Sequence, residues 1–195
     1  MQELPPYMSF WGKASPETRP SEPASHCIAY HCFDVAAVAD VLLRRNPRKL
    51  RAMARLLDTS PESARRLLIS LIALHDVGKF SAAFQAKNAD AWPRDVLGEW
   101  KSLAGGRHDL TGFVMRQALD LKSVLNPTLG GWSGGDIVAV WHAIAGHHGQ
   151  PAAEHNGHRP DNLNSACLAR LGHFPATSVF CTRKKFPAND QASAT

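Results

Sequence analysis

The 195-residue chain contains no CxxC pair, no internal repeat and no sustained alternation of apolar and polar residues. Each absence removes a class of protein. Cys27, Cys32, Cys167 and Cys181 are spaced as neither a zinc knuckle nor a disulfide frame, and they read as reduced thiols. The longest apolar run, "LLISLIAL" at 67–74, is far shorter than a bilayer crossing requires. The opening "MQELPPYMSFWGKASPE" lacks the basic-then-apolar order of an export signal. The expectation is a cytoplasmic protein with no membrane partner. Without an alternating pattern a sheet protein is not expected, which leaves a helical one.

What is present supports that reading. Hydrophobic residues make up 44% and charged residues 20%, enough apolar material for one domain with a sizeable core. The net charge of +5 is compatible with a polyanionic partner, because lysine and arginine neutralise phosphates and release counterions. Ten histidines are the more informative excess, since neutral imidazole binds metals and moves protons near pH 7.

The first 25 residues, rich in proline and polar groups, read as an irregular arm, with Tyr7, Phe10 and Trp11 anchoring part of it to the domain surface. Apolar residues then recur at helical spacing over 29–45 and again through "PRKLRAMARLLD". "SPESARRLLISLIALHD" begins with serine, then proline at the first helical position, and Gly78 is expected to end that helix. A short helix follows Ser81 in "FSAAFQAKN" and a longer one starts at "RHDLTGF". Asp136 is expected to cap the last, "DIVAVWHAIAGHH". The domain is assigned to 26–173 and an irregular tail to 174–195. The fold expected is all-α, a compact helical bundle with its polar residues at helix ends.

Those polar residues are mostly histidine and aspartate. His31 lies on the first helix with Asp34 one turn on; His75 and Asp76 end the central apolar helix. His108 opens the next long helix with Asp109 beside it, and His147 and His148 end the last. A single core histidine is usually no more than a hydrogen-bonded side chain. Four helices each offering imidazole or carboxylate is a different pattern. Those groups suit divalent first-row metals, and a carboxylate can bridge two ions. On this reading the pair in "LHDVGKF" holds metal.

The motifs "FWGKA", "HCIAYHCFDVAAVA", "LHDVGKFSAAFQ" and "GHHGQP", in that order over roughly 9–152, resemble the HD superfamily of metal-dependent phosphohydrolases. Within it they resemble the HD nuclease domain of the CRISPR-associated helicase-nuclease of type I systems. The resemblance implies a helical nuclease that binds two divalent ions and cuts single-stranded DNA in antiviral interference. It makes His31, His75, Asp76, His108, His147 and His148 metal ligands, with Asp76 bridging. Lys79 would lie near the scissile phosphate, so Asp76 and Lys79 carry the catalysis. Iron, manganese, nickel or cobalt are the ions implied, with magnesium as a further candidate. A surveillance complex and a helicase domain or subunit are the partners implied.

His26 and His142 read as packing or supporting groups, and Asp34 as an orienting partner of His31 or a cap for a neighbouring backbone group rather than a ligand. His155, His158 and His173 lie outside the matched motifs. Two features depart from the family's pattern. Its final aspartate on an apolar helix has no counterpart in 152–195, where Asp161 and Asp190 stand in polar context. The chain also holds no GxxxxGK(S/T) phosphate loop of a helicase. The metal ligands alone fit two other readings: a phosphohydrolase acting on nucleotides, and a truncated, catalytically impaired domain that binds nucleic acid or a partner complex.

Overall fold

A short antiparallel ribbon starts the fold where an irregular arm was expected. In the computed structural model residues 4–14, 25–115 and 133–149 are described. Strand β1 (Trp11–Ala14) pairs with β2 (Ser25–Cys27), Trp11 opposite Cys27 and Ala14 opposite Ser25, with a bulge after Trp11. Strands of four and three residues are too short to show alternation, which is why the sequence pattern did not reveal them. The ribbon leaves the class all-α, and it has a structural use. Cys27 cannot cap a helix with its side chain, but Phe10 lies alongside and its carbonyl accepts the Ile28 amide at 2.9 Å. One of the orphan donors at the start of α1 (Ile28–Arg45) is satisfied in this way.

Pro47 ends α1, because the residue before a proline is pushed out of helical geometry. Asn46 takes that position, and α2 (Pro47–Leu56) starts at once. Helix α3 (Pro61–Ala73) begins as its sequence predicts: Ser60 Oγ accepts the Ser63 amide at 3.1 Å, and Pro61 occupies the first turn. It packs against both α1 and α2. Two stripes of α3 are buried. Leu67, Leu71 and, just beyond the helix, Leu74 join the main core with Phe10, Ile28 and Cys32. Ile69 and Ala73 meet Ala36 of α1. Each buried leucine contributes roughly 1.5–3 kcal/mol, so α3 is held from two sides and its C-terminal end is a rigid platform.

That end differs from the expectation. The helix stops at Ala73, with Leu74 as its cap, five residues before Gly78. A chain of tight turns follows, closing in a 3-10 turn at Val77–Phe80. Gly78 is not among the positive-φ glycines, so it does not supply the left-handed cap predicted for it. Its role is steric. A Cβ there would stand 1.8 Å from the His108 carbonyl oxygen and 2.6 Å from the Gly112 amide nitrogen. The 3-10 turn and α6 (His108–Met115) cross in backbone contact at two glycines.

Between them lie the one-turn helices α4 (Ala82–Gln85), capped by Ser81, and α5 (Arg94–Leu97). Helix α7 (Gly134–Ala145) is capped by Ser133, not Asp136. Ser133 Oγ accepts the Asp136 amide, while the Asp136 carboxylate accepts the Ser133 amide at 2.8 Å. Asp136 thus completes a reciprocal box from the third helical position. Trp141 is buried and donates its indole N–H to the Gly112 carbonyl at 3.1 Å, tying α7 to the glycine crossing. No helix among the described residues is long and apolar enough to cross a membrane.

Candidate metal centre

Burying a carboxylate costs several kcal/mol unless charged or hydrogen-bonding groups surround it. Asp76 is 3% exposed, and the groups around it come from five segments. The turn after α3 supplies Asp76 itself and His75, whose Nε2 lies 3.3 Å from Asp76 Oδ2. Helix α1 brings His31 Nε2 to the same oxygen, also at 3.3 Å. Lys79 of the 3-10 turn reaches it at 2.8 Å. The other oxygen, Oδ1, faces His108 of α6 at 3.2 Å and His147, two residues past α7, at 3.5 Å. His148 completes that side, its Nε2 3.0 Å from His108 Nε2. The two paired histidines stand in the turn after α7 rather than on it.

The proton positions carry the chemical argument. His75 Nδ1 lies 2.8 Å from the Ile72 carbonyl, and His147 Nδ1 3.0 Å from the Ile144 carbonyl. A carbonyl only accepts, so both Nδ1 atoms carry hydrogen. In a neutral ring this turns the Nε2 lone pair toward the Asp76 carboxylate, acceptor against acceptor. Only a shared proton or a shared cation relieves such a meeting. Asp76 Oδ1, fully buried, makes no hydrogen bond among the described residues. Ligand atoms of His31, His75 and Asp76 lie within 4.8 Å of one another, as do those of His108, His147 and His148. Each trio could hold a divalent ion, and the histidines of each lie by a different oxygen of the one carboxylate. Nitrogen and carboxylate oxygen form a donor set that fits first-row divalent metals.

Electrostatics agrees with that fit. Burial works against the charge on Asp76, but the imidazoles of His108 and His75 and the Lys79 ammonium outweigh it and hold the carboxyl far below the usual range. Burial lowers His31 and His147, so both rings are neutral at pH 7 with lone pairs free to coordinate. His75 is also penalised by burial, yet its contact with Asp76 prevails and raises it. Burial and the nearby Asp76 push the Cys32 thiol, beneath the cluster, up to about 12, where it stays protonated.

Other sequence-marked residues lie apart. Asp34 is exposed and makes no hydrogen bond or ion pair with His31 among the described residues, so it does not orient that ring through one. His142 packs its ring 4.2 Å from that of Phe113, as a packing group does. His26 is exposed on β2, its ring 6.4 Å from Tyr30. His155, His158, His173, Asp161, Asp190, Cys167 and Cys181 lie outside the described residues.

The sequence reading gave no role to Gln85. It is fully buried and acts as a clamp. Its Oε1 accepts the Trp11 amide at 3.1 Å, and its Nε2 donates to the Trp11 carbonyl at 2.8 Å and the Lys79 carbonyl at 2.7 Å. The ribbon and the turn bearing Lys79 are joined through one side chain. The available signal was a long amide inside the otherwise apolar "SAAFQA". Gln85→Ala would leave three buried backbone groups unpaired, and each costs about 1–3 kcal/mol. A loss of about 3 kcal/mol or more is expected in urea unfolding of the metal-free chain. A loss under about 1 kcal/mol would show that water replaces the clamp.

The family described as "Cas3, HD domain" matches residues 11–189. The CRISPR-associated endonuclease/helicase Cas3 of Escherichia coli (strain K12) is 37% identical over 83 residues, which are 43% of this chain and 9% of that protein. A solved structure described as a CRISPR-associated protein superposes with a TM-score of 0.56 over 86% of this chain at 24% identity, a likeness of fold. The chain covers 18% of that structure's length.

Proposed function

Because this chain belongs to the Cas3 HD-domain family, we propose that it is a metal-dependent nuclease cutting single-stranded DNA in CRISPR interference. One observation carries the reading: histidines of two ligand groups face the two oxygens of a single buried carboxylate, His31 and His75 at Oδ2 and His108 and His147 at Oδ1. His31, His75 and Asp76 would hold one divalent ion, and His108, His147 and His148 the other, with Asp76 shared. Such a pair, when bound, supplies Lewis acidity and hydroxide at neutral pH.

The chain's own groups do the positioning. The Ile72 and Ile144 carbonyls fix the rings of His75 and His147 through their Nδ1 hydrogens, so that each Nε2 aims inward. Lys79 balances the Asp76 charge in this structure. With cations present it is free to turn toward the non-bridging oxygens of a phosphodiester and stabilise the charge that grows there. The second trio is all imidazole. A helicase domain or subunit and a surveillance complex are the partners proposed, acting with it in the cytoplasm.

Purified chain supplied with Mn(II), Ni(II) or Co(II) is expected to nick circular single-stranded DNA. Chelation with EDTA should stop it, and His75→Ala should reduce it to background. Cleavage by the His75→Ala protein at the unmodified rate would remove the reading. Hydrolysis of a nucleotide panel in preference to DNA would reassign the centre to a small-molecule phosphohydrolase.

A further inference from the structure

Between Arg44 and Arg55 the sequence "RRNPRKLRAMAR" holds six basic side chains and no acidic one, more positive charge than the +5 of the whole chain. The fold places this run at the corner where α1 meets α2. Arg44 bonds to Asp40 at 2.9 Å. Arg45, Arg48, Lys49, Arg51 and Arg55 are exposed, and their side chains have no partner among the described residues. Arg48, Arg51 and Arg55 stand three and four positions apart, so they share one face of α2 over about 10 Å.

The placement is electrostatically unfavourable for the chain alone. Arg48 and Lys49 occupy the first turn of α2, at the positive end of its dipole, with no acidic residue beside them. The Asn46 side chain, which could cap that end, donates instead to the Leu42 carbonyl at 3.1 Å. A polyanion laid on the corner would relieve this repulsion.

We propose that the α1–α2 corner is a second contact for nucleic acid, holding the sugar-phosphate backbone without reading bases. The choice of polyanion rests on the phosphodiester reading of the Asp76 cluster. Five of the six side chains are arginine, whose planar fork matches phosphate oxygens. The corner is remote from the cluster: His31 and Arg45 lie on one helix about 21 Å apart along its axis. A strand engaged at the cluster would therefore be gripped several nucleotides away.

The test is anisotropy of a labelled 30-nucleotide single strand titrated with the full chain in EDTA at a series of NaCl concentrations. Two matched double variants carry the comparison, Arg48→Gln with Arg51→Gln at the corner and Arg94→Gln with Lys101→Gln elsewhere. Glutamine keeps helix propensity, and circular dichroism checks the fold. The corner pair should make the log–log salt slope shallower by about 1.4, the value for two lost phosphate contacts on a single strand. The control pair should change it by less than a quarter of that. Equal slopes for both pairs would overturn the proposal, because overall charge would then explain binding. So would a corner pair that weakens binding to phosphatidylserine vesicles or polyglutamate and leaves the oligonucleotide slope intact. The titration contains no active metal, so it can succeed where cleavage fails, and the two readings are separable.

Discussion

An Asp76→Asn chain is expected to lose DNA cleavage by about 10³-fold or more, equivalent to about 4 kcal/mol of transition-state stabilisation. Asparagine keeps the shape of the side chain and removes its charge. The loss should be at least as large as for any one histidine, because Asp76 alone has an oxygen close to histidines of both trios. Calorimetric titration with Mn(II) gives the direct readout. The unmodified chain should bind two ions, and the variant should show weakened binding at both positions. Two ions bound with unchanged affinity would mean that the carboxylate bridges nothing, and that the imidazoles suffice. The affinity of the unmodified chain should fall as pH drops through the imidazole range, since a protonated ring cannot coordinate. Burial lowers His31 and His147, so their share of that loss comes at lower pH than for a solvated histidine.

The second large effect is expected at Gly78, which touches no proposed ligand with a side chain of its own. In Gly78→Ala the new methyl would meet the His108 carbonyl oxygen at 1.8 Å and the Gly112 amide nitrogen at 2.6 Å. Both are backbone atoms inside a helix, so neither can swing aside; α6 must move away from the 3-10 turn. Overpacking of this kind costs about 3 kcal/mol or more, and thermal unfolding should shift down by roughly 6–12 °C for a chain of this size. Because α6 carries His108, the surviving folded fraction should also bind metal more weakly. Gly112→Ala is the internal control. Its Cβ would stand 3.3 Å from the Gly78 nitrogen, a contact relieved by a few tenths of an ångström, so it should cost about 1 kcal/mol or less. Equal costs at the two positions would show that the crossing is not as close as described.

Most helices were legible from the chain because their signals are local. Ser60 with Pro61, Pro47 after Asn46, and Ser81 before a small-residue run each act within four residues of the boundary they set. The boundaries that went astray are those set by neighbours. Gly78 has the composition of a helix terminator, yet its conformation answers to α6, thirty residues on in the chain. The first strand carries no pattern of its own and exists because Ser25–Cys27 lies beside it. Ser133 rather than Asp136 caps α7; both fit the local rule, and only the geometry of the loop separates them.

The candidate site divides the same way. Residue types and their positions near helix ends marked His31, His75, Asp76, His108, His147 and His148 as candidates alongside Asp34 and Asp109, and the resemblance to the HD nuclease domain narrowed the list to those six. Which oxygen of Asp76 faces which rings, and which ring nitrogen is turned inward, depends on contacts between residues far apart in the chain, 71 positions for Asp76 and His147. The Gln85 clamp spans 74 residues. By itself the sequence determined most of the helices, the all-α class and the kinds of side chain that could act as ligands, because these follow from periodicity and from side-chain chemistry. Only the tertiary structure decided how close two backbones come at Gly78 and how two trios share one carboxylate, because packing forces between distant segments set those distances.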